Sequence, residues 1–223
     1  MKNLYSIKYF LPFVLLLLSS SNLFAHTINY SMEIKPVENV IAYYIGLGFQ
    51  HIVPDGLDHI LFVISLFLID PRIKPVVMQA SCFTIAHTIT LILTSKDIIV
   101  PSSHIIEPII AISIAFVALE NIFIGELKRW RYVLIFLFGL IHGMGFANAL
   151  NEIGLPRNTF YTSLISFNIG VEFGQIAVIA IVWLLIGKFF SKEIWYRKRI
   201  AIPLSIVIAS IATYWTIERV FFS

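Results

Sequence analysis

Long apolar runs separated by short polar segments make up most of the chain from residue 40 onward. A helix needs about 20 apolar residues to cross the hydrocarbon core of a bilayer. The runs therefore predict six transmembrane helices, near residues 53–69, 75–94, 104–124, 132–150, 160–186 and 200–221. The predicted fold class is all-α, that of a polytopic membrane protein.

A further apolar segment, residues 40–52, precedes the first predicted span. Its aromatic residues, among them Tyr43 and Phe49, suit a membrane interface. The sequence Pro54-Asp55-Gly56 then breaks it from the span that follows. We expect a short interfacial or re-entrant helix that leads into the first span.

The first 25 residues have the pattern of a secretory signal peptide. Lys2 and Lys8 form a basic start, residues 11–18 are apolar, and Ala25 ends a plausible cleavage site. The alternative is an uncleaved first transmembrane helix. We predict a signal peptide over 1–25, a polar periplasmic segment over 26–39 and a single transmembrane domain over 40–223.

Charge distribution supports this topology. Charged residues make up 13% of the chain, whereas soluble domains have about a quarter. Loops after the first, third and fifth spans carry ten Lys and Arg residues, and the opposite loops carry two. The ten are Arg72, Lys74, Lys128, Arg129, Arg131, Lys188, Lys192, Arg197, Lys198 and Arg199. By the positive-inside rule, the protein lies in a bacterial inner membrane with its mature N-terminus in the periplasm.

Ionisable residues occur where a lipid-facing helix would exclude them. A charge at the bilayer centre costs about 2.5–3.5 kcal/mol on insertion scales, so such residues face protein or water. The first group is His51, Asp55, Asp58 and His59 at the outer end of the first span. Imidazole with carboxylate suits nickel, zinc, cobalt or copper. The alternative is local, with Asp55 as a helix cap and Asp58 in the first turn.

His87 lies in the middle of the second span. Thr84 and Thr90 are three residues to either side, so they share its helix face. The polar face favours a place on an ion pathway, and the alternative is a hydrogen-bonded structural histidine.

His142 lies in the fourth span among small residues. Gly139, Gly143 and Ala147 are spaced by four and form a face on which another helix can pack closely. Packing explains the glycines, but it leaves the histidine among them unexplained.

The fifth span places Asn168, Glu172 and Gln175 on one face. Glu172 has no Lys or Arg in its own span, so it is either protonated or paired with a cation from another helix. A metal ion or a charged histidine would serve. In the third span, Glu107 and Glu120 lie near the outer and inner ends, where they are further pathway candidates.

Together these segments resemble the HupE/UreJ family of nickel and cobalt permeases. The matching segments are Gly56–His59, Phe83–His87, Val117–Asn121, Phe138–Ala147 and Phe167–Gln175. The resemblance implies a signal peptide, six spans and nickel or cobalt as the transported ion. The family's first-span signature places five residues between a histidine and Asp-His, whereas six separate His51 from Asp58 here. The resemblance therefore supports Asp58 and His59 more directly than His51.

We predict a permease rather than an enzyme, with no permanently bound cofactor. Its substrate is a divalent metal, nickel first, with cobalt or zinc as alternatives, and its partners are the lipid bilayer and not nucleic acid. No phosphate-binding loop is present, so transport is passive, proton-coupled or driven by a partner. The predicted metal ligands are Asp58, His59, His87, His142, Glu172, His51 and Asp55, with Asn168, Gln175, Glu107 and Glu120 along the path.

Two other functions stay open. One is an intramembrane zinc enzyme of the hydrolase type, in which three histidines with Asp58 or Glu172 would activate water. The other is a structural membrane subunit whose polar residues are satisfied locally. A homo-oligomer is compatible with all three readings.

Overall fold

The computed structural model describes residues 29–222, and all regular elements within that range are helical. The seven long helices are α1 (Val37–Ile52), α2 (Leu57–Ile69), α3 (Ile73–Ser95), α4 (Ser103–Phe123), α5 (Trp130–Ile153), α6 (Phe160–Val182) and α7 (Ile202–Phe221). A single turn, Tyr30–Glu33, precedes α1. The wider π-turn Trp183–Gly187 and the short helix Lys188–Phe190 extend α6, and the π-turn Arg197–Ala201 leads into α7.

Five of these helices, α3 to α7, are long and apolar enough to cross a membrane. Helices α1 and α2 pass the same test as a pair bent by 70°. The 13 residues of α2 rise about 20 Å, which is too short for a hydrocarbon core of about 30 Å. Alone, α2 is therefore too short for a crossing, and only together with α1 does it count as a sixth candidate span. The predicted all-α membrane fold with a bent segment at its start is confirmed, and the predicted signal peptide lies outside the described residues.

Glycines let two helix pairs approach closely. A Cβ atom added at Gly48 in α1 would lie 1.9 Å from the Phe167 carbonyl oxygen in α6. One added at Gly143 in α5 would lie 2.3 Å from the His87 carbonyl oxygen in α3. No side chain fits at either position, so the backbones of α1–α6 and α3–α5 are in direct contact. The contact at Gly143 is the close packing that the small residues of the fourth span predicted.

The helix order gives the bundle two distinct ends. We call the end with loops 70–72, 124–129 and 191–196 the basic end, because most Lys and Arg residues lie there. The opposite end has loops 96–102 and 154–159 and the end of α7. Arg131 is an exception among the predicted loop charges. It lies in the first turn of α5 and its side chain is fully buried.

A buried polar network surrounds Arg131 near the basic end. Its Nη1 lies 2.5 Å from Glu120 Oε2, and its Nε donates to Gln79 Oε1 at 3.0 Å. Asn121 accepts a further bond from Arg131 and donates to the Ser65 carbonyl oxygen at 2.8 Å. The network joins α2, α3, α4 and α5 at a place where an unpaired charge would be costly.

Candidate metal centre

Four histidines from four helices converge inside the bundle. His51 is in the last turn of α1, His59 is in the first turn of α2, and His87 and His142 lie in the middle of α3 and α5. The ring centroid of His59 lies 4.6 Å from that of His51 and 5.3 Å from that of His142. One ring nitrogen each from His51, His59 and His87 can be chosen so that all three lie within 4.8 Å of one another. Nitrogen atoms at this spacing can share one metal ion.

A hydrogen bond orients His87. Its Nδ1 lies 3.1 Å from Asn168 Oδ1, while Asn168 Nδ2 donates to the Leu164 carbonyl oxygen at 2.8 Å. Because the amide nitrogen is used within α6, Asn168 Oδ1 must accept, and His87 Nδ1 must carry the proton. The lone pair of His87 is therefore on Nε2. Such a partner on the remote nitrogen is typical of histidines that bind metals.

Ser113 orients His142 in the same way. Its hydroxyl lies 2.7 Å from the Ile110 carbonyl oxygen and 2.9 Å from His142 Nε2. The carbonyl oxygen takes the hydroxyl proton, so the serine oxygen accepts from His142 Nε2–H. The lone pair of His142 is therefore on Nδ1.

Four ring nitrogens of the cluster have no hydrogen-bond partner among the described residues. They are the buried Nε2 atoms of His51, His59 and His87 and the buried Nδ1 of His142. Most buried polar atoms have a partner, and four exceptions in one cluster call for an explanation. A cation that accepts nitrogen ligands could be shared by His51, His59 and His87, whereas His142 lies beside this group of three. Neutral imidazoles suit nickel, cobalt, zinc and copper, whereas magnesium and calcium prefer oxygen.

Aromatic rings enclose the histidines. The ring of Phe146 lies 3.7 Å from that of His51, centroid to centroid, and stacks on Phe167. Phe62 and Phe83 contact each other at 4.9 Å on the basic-end side of the cluster, and both rings contact His142. Both phenylalanines are fully buried. The site is therefore closed toward the basic end by apolar rings.

Toward the opposite end, three of the four histidines line a cavity of about 440 Å³, and His87 lies behind them. Its lining includes His51, His59, His142, Asp55, Asp58 and Arg219. Asp58 accepts an ion-pair bond from Arg219 Nη2 at 2.9 Å, and Asp55 is exposed. The two predicted aspartates thus lie on the cavity wall. The close nitrogen group contains histidines alone among the described residues.

The predicted polar face of α6 points at α3, and its three members have different partners. Asn168 contacts His87, whereas Glu172 Oε1 accepts a bond from Ser81 at 2.6 Å. Gln175 Oε1 accepts from Thr84 at 3.1 Å. The structure therefore brings Asn168 to the histidines and places Glu172 and Gln175 against other residues of α3.

The two glutamates of α4 lie at opposite ends. Glu107 is exposed near the cavity mouth, where its carbonyl oxygen accepts a bond from Arg219 at 3.2 Å. Glu120 pairs with Arg131 in the basic-end network. Neither carboxylate is in the histidine group.

Three residues of the site were missed by the sequence analysis. Ser113 and Phe146 have no sequence signal, because their roles depend on helix contacts. Arg219 did have one, since it is a cation inside the last predicted span. Such a residue normally has a partner or faces water.

Comparison of the sequence with known proteins identifies one family. Searches of curated proteins and of solved structures find no significant match. The family model described as HupE / UreJ protein matches residues 27–219, a range that includes all four histidines and Arg219. This family is associated with nickel and cobalt transport. The chain therefore belongs to the HupE/UreJ family.

Proposed function

We propose that the protein is a permease for a divalent transition-metal ion, nickel or cobalt, which it carries from the periplasm to the cytoplasm. One observation carries the proposal: ring nitrogens of His51, His59 and His87, from three helices, can lie within 4.8 Å of one another beside a cavity, and each of these residues has a buried Nε2 with no hydrogen-bond partner among the described residues. Membership of a metal-transport family supports it. The cluster supplies the coordination, and the cavity supplies access.

The ion would enter the cavity past Asp55 and Asp58, whose carboxylates favour a cation at the mouth. It would then bind His51 and His59, which line the cavity together with His142, and His87 beyond them. Helices α1 and α2 carry the first two histidines on a bent pair, and such interrupted helices form ion sites in many transporters.

Release toward the basic end requires a change of conformation. Phe62 and Phe83 close the cluster on that side, and the Arg131–Glu120 pair lies beyond them. A site open to one end and closed to the other is the arrangement expected of alternating access. The positive-inside rule assigns the basic end to the cytoplasm, so the cavity opens toward the periplasm, from which the proposed ion would enter. Transport would be passive, coupled to a proton or driven by a partner protein.

Uptake of radioactive nickel into proteoliposomes tests the proposal. We expect His59→Leu to reduce uptake to the rate of protein-free liposomes, because leucine fills similar space without a lone pair. His104→Leu is the matched control, since His104 is exposed in the first turn of α4 and does not line the cavity. Equal uptake by the His59→Leu variant and the wild type would exclude the histidine site from transport.

The same geometry is also compatible with a second function, that of a zinc enzyme. Three histidine ligands with an open position are also the ligand set of catalytic zinc. An enzyme of this kind retains its metal, whereas a permease releases it. We therefore expect protein purified in detergent without added metal to contain far less than one metal ion per chain. A stoichiometric zinc content, measured by mass spectrometry of the elements, would favour the enzyme.

A further inference from the structure

We propose that Arg219 acts as a built-in substitute cation that occupies the carboxylate of Asp58 until a divalent metal displaces it. The inference rests on the proposed function, because it concerns how the same cavity selects its ion. It assigns a role to a residue of α7, a helix that contributes none of the four histidines.

The contacts of Arg219 place its charge at the cavity mouth. Nη2 donates to Asp58 Oδ2 at 2.9 Å, and Nη1 donates to the Glu107 carbonyl oxygen at 3.2 Å. The guanidinium also lies 5.6 Å from the ring of Trp215, one turn earlier in α7. These three contacts hold the guanidinium beside Asp58, the residue that precedes His59 in the chain.

The ion pair is neither fully exposed nor sealed. The Arg219 and Asp58 side chains are 22% and 24% exposed, so solvent screens the pair only in part. Among the described residues that line the cavity, Arg219 is the one with a permanent positive charge. A cation that enters must therefore either pass this charge or replace it.

Replacement discriminates between ions by charge. A monovalent ion brings no more charge to Asp58 than the guanidinium already supplies, and it would leave two cations at one carboxylate. A divalent ion brings twice that charge and gains imidazole ligands one residue further along the chain. Arg219 therefore sets a threshold that favours divalent metals, and removing it should tighten metal binding.

Equilibrium binding of Ni²⁺ to the detergent-purified full chain tests this inference. We expect Arg219→Gln to lower the Kd roughly tenfold, which is the scale expected when one partly screened charge is removed near the ligand. Arg157→Gln is the matched control, because it removes a positive charge from the same end of the bundle but not from the cavity lining. Arg219→Lys keeps the charge and should bind nickel as the wild type does.

Each outcome has a distinct meaning. An unchanged or higher Kd for Arg219→Gln, beside a wild type that binds nickel, overturns the inference and leaves the proposed function intact. Equal tightening by Arg157→Gln also overturns it, because the effect would then be general. If the wild type itself does not bind nickel, the proposed function fails and the inference fails with it.

A second measurement needs no variant. Displacement should free the guanidinium, so Ni²⁺ should increase the reaction of Arg219 with phenylglyoxal, read at that residue by peptide mass spectrometry. The exposed Arg157 provides the internal control. Reactivity of Arg219 that does not rise when nickel saturates the protein would contradict displacement.

Discussion

His87 Nδ1 and Asn168 Oδ1 lie 3.1 Å apart across the contact between α3 and α6, and this bond directs the His87 lone pair at the cluster. We expect Asn168→Leu to weaken nickel binding about 10- to 100-fold, the usual effect of losing the partner of a metal-binding histidine. Asn168→Asp keeps an acceptor and should retain binding. Calorimetric titration with Ni²⁺ measures both.

Gln175→Leu is the control for that experiment. Gln175 lies on the same face of α6, but it contacts Thr84 rather than a histidine. Its variant should bind nickel like the wild type. Wild-type affinity in Asn168→Leu would show that the bond does not orient a ligand.

Alanine substitutions at two glycines of α1 should have different effects on the stability of the protein. In Gly48→Ala the new Cβ would meet the Phe167 carbonyl oxygen, a backbone atom that cannot move aside cheaply. We expect a loss of about 1–3 kcal/mol, the usual cost of overpacking, seen as a lower Tm in detergent. At Gly46 nothing lies within 4 Å of the added atom, so Gly46→Ala should leave the Tm unchanged or raise it. Equal Tm values for both variants would contradict the close α1–α6 contact.

Arg131 should be essential to the stability of the basic end. Arg131→Met leaves the Glu120 carboxylate buried without its cation, and breaking such a pair costs about 3–5 kcal/mol. Adding Glu120→Leu should recover part of that loss, because it removes the orphaned charge. Arg129→Met is the control, since Arg129 is exposed two residues earlier. The free energy of unfolding in mixed detergent measures all four proteins.

Cobalt provides an optical test of the histidine cluster. Co²⁺ bound by nitrogen ligands in low coordination number absorbs visible light strongly, because its geometry departs from the octahedral aqueous ion. We expect an absorption band when Co²⁺ is added to the wild type, its loss in His51→Leu and its removal by excess chelator. A band that persists in His51→Leu would remove that histidine from the ligand set.

The spans were predictable because each depends on the hydrophobicity of a contiguous segment. Even the break before Leu57 had a local cause, the sequence Pro54-Asp55-Gly56. The sequence also showed histidines and an asparagine within the spans. Because polar residues in lipid need partners, their presence there predicted a buried polar site.

The identity of those partners was not predictable, because it depends on which helices meet. Glu172 was expected to be protonated or paired with a cation, and its hydrogen bond from Ser81 of α3 could not be read from the sequence. Arg131 read as a loop charge because it follows Lys128 and Arg129, yet the first turn of α5 carries it into the bundle. Neither environment could be inferred, because tertiary contacts leave no trace in local composition.

The interruption between α1 and α2 also explains why spacing was a poor guide to His51. Eight positions along an unbroken helix would separate His51 and His59 by about 12 Å, whereas their ring centroids lie 4.6 Å apart here. Their proximity comes from the irregular connector between the two helices. In a continuous helix, one inserted residue would rotate all later side chains by about 100° around the helix axis. An irregular connector can take up the extra residue without such a rotation. A sixth residue between the histidine and Asp-His is therefore compatible with the same coordination, and relatives with different counts can keep one metal geometry.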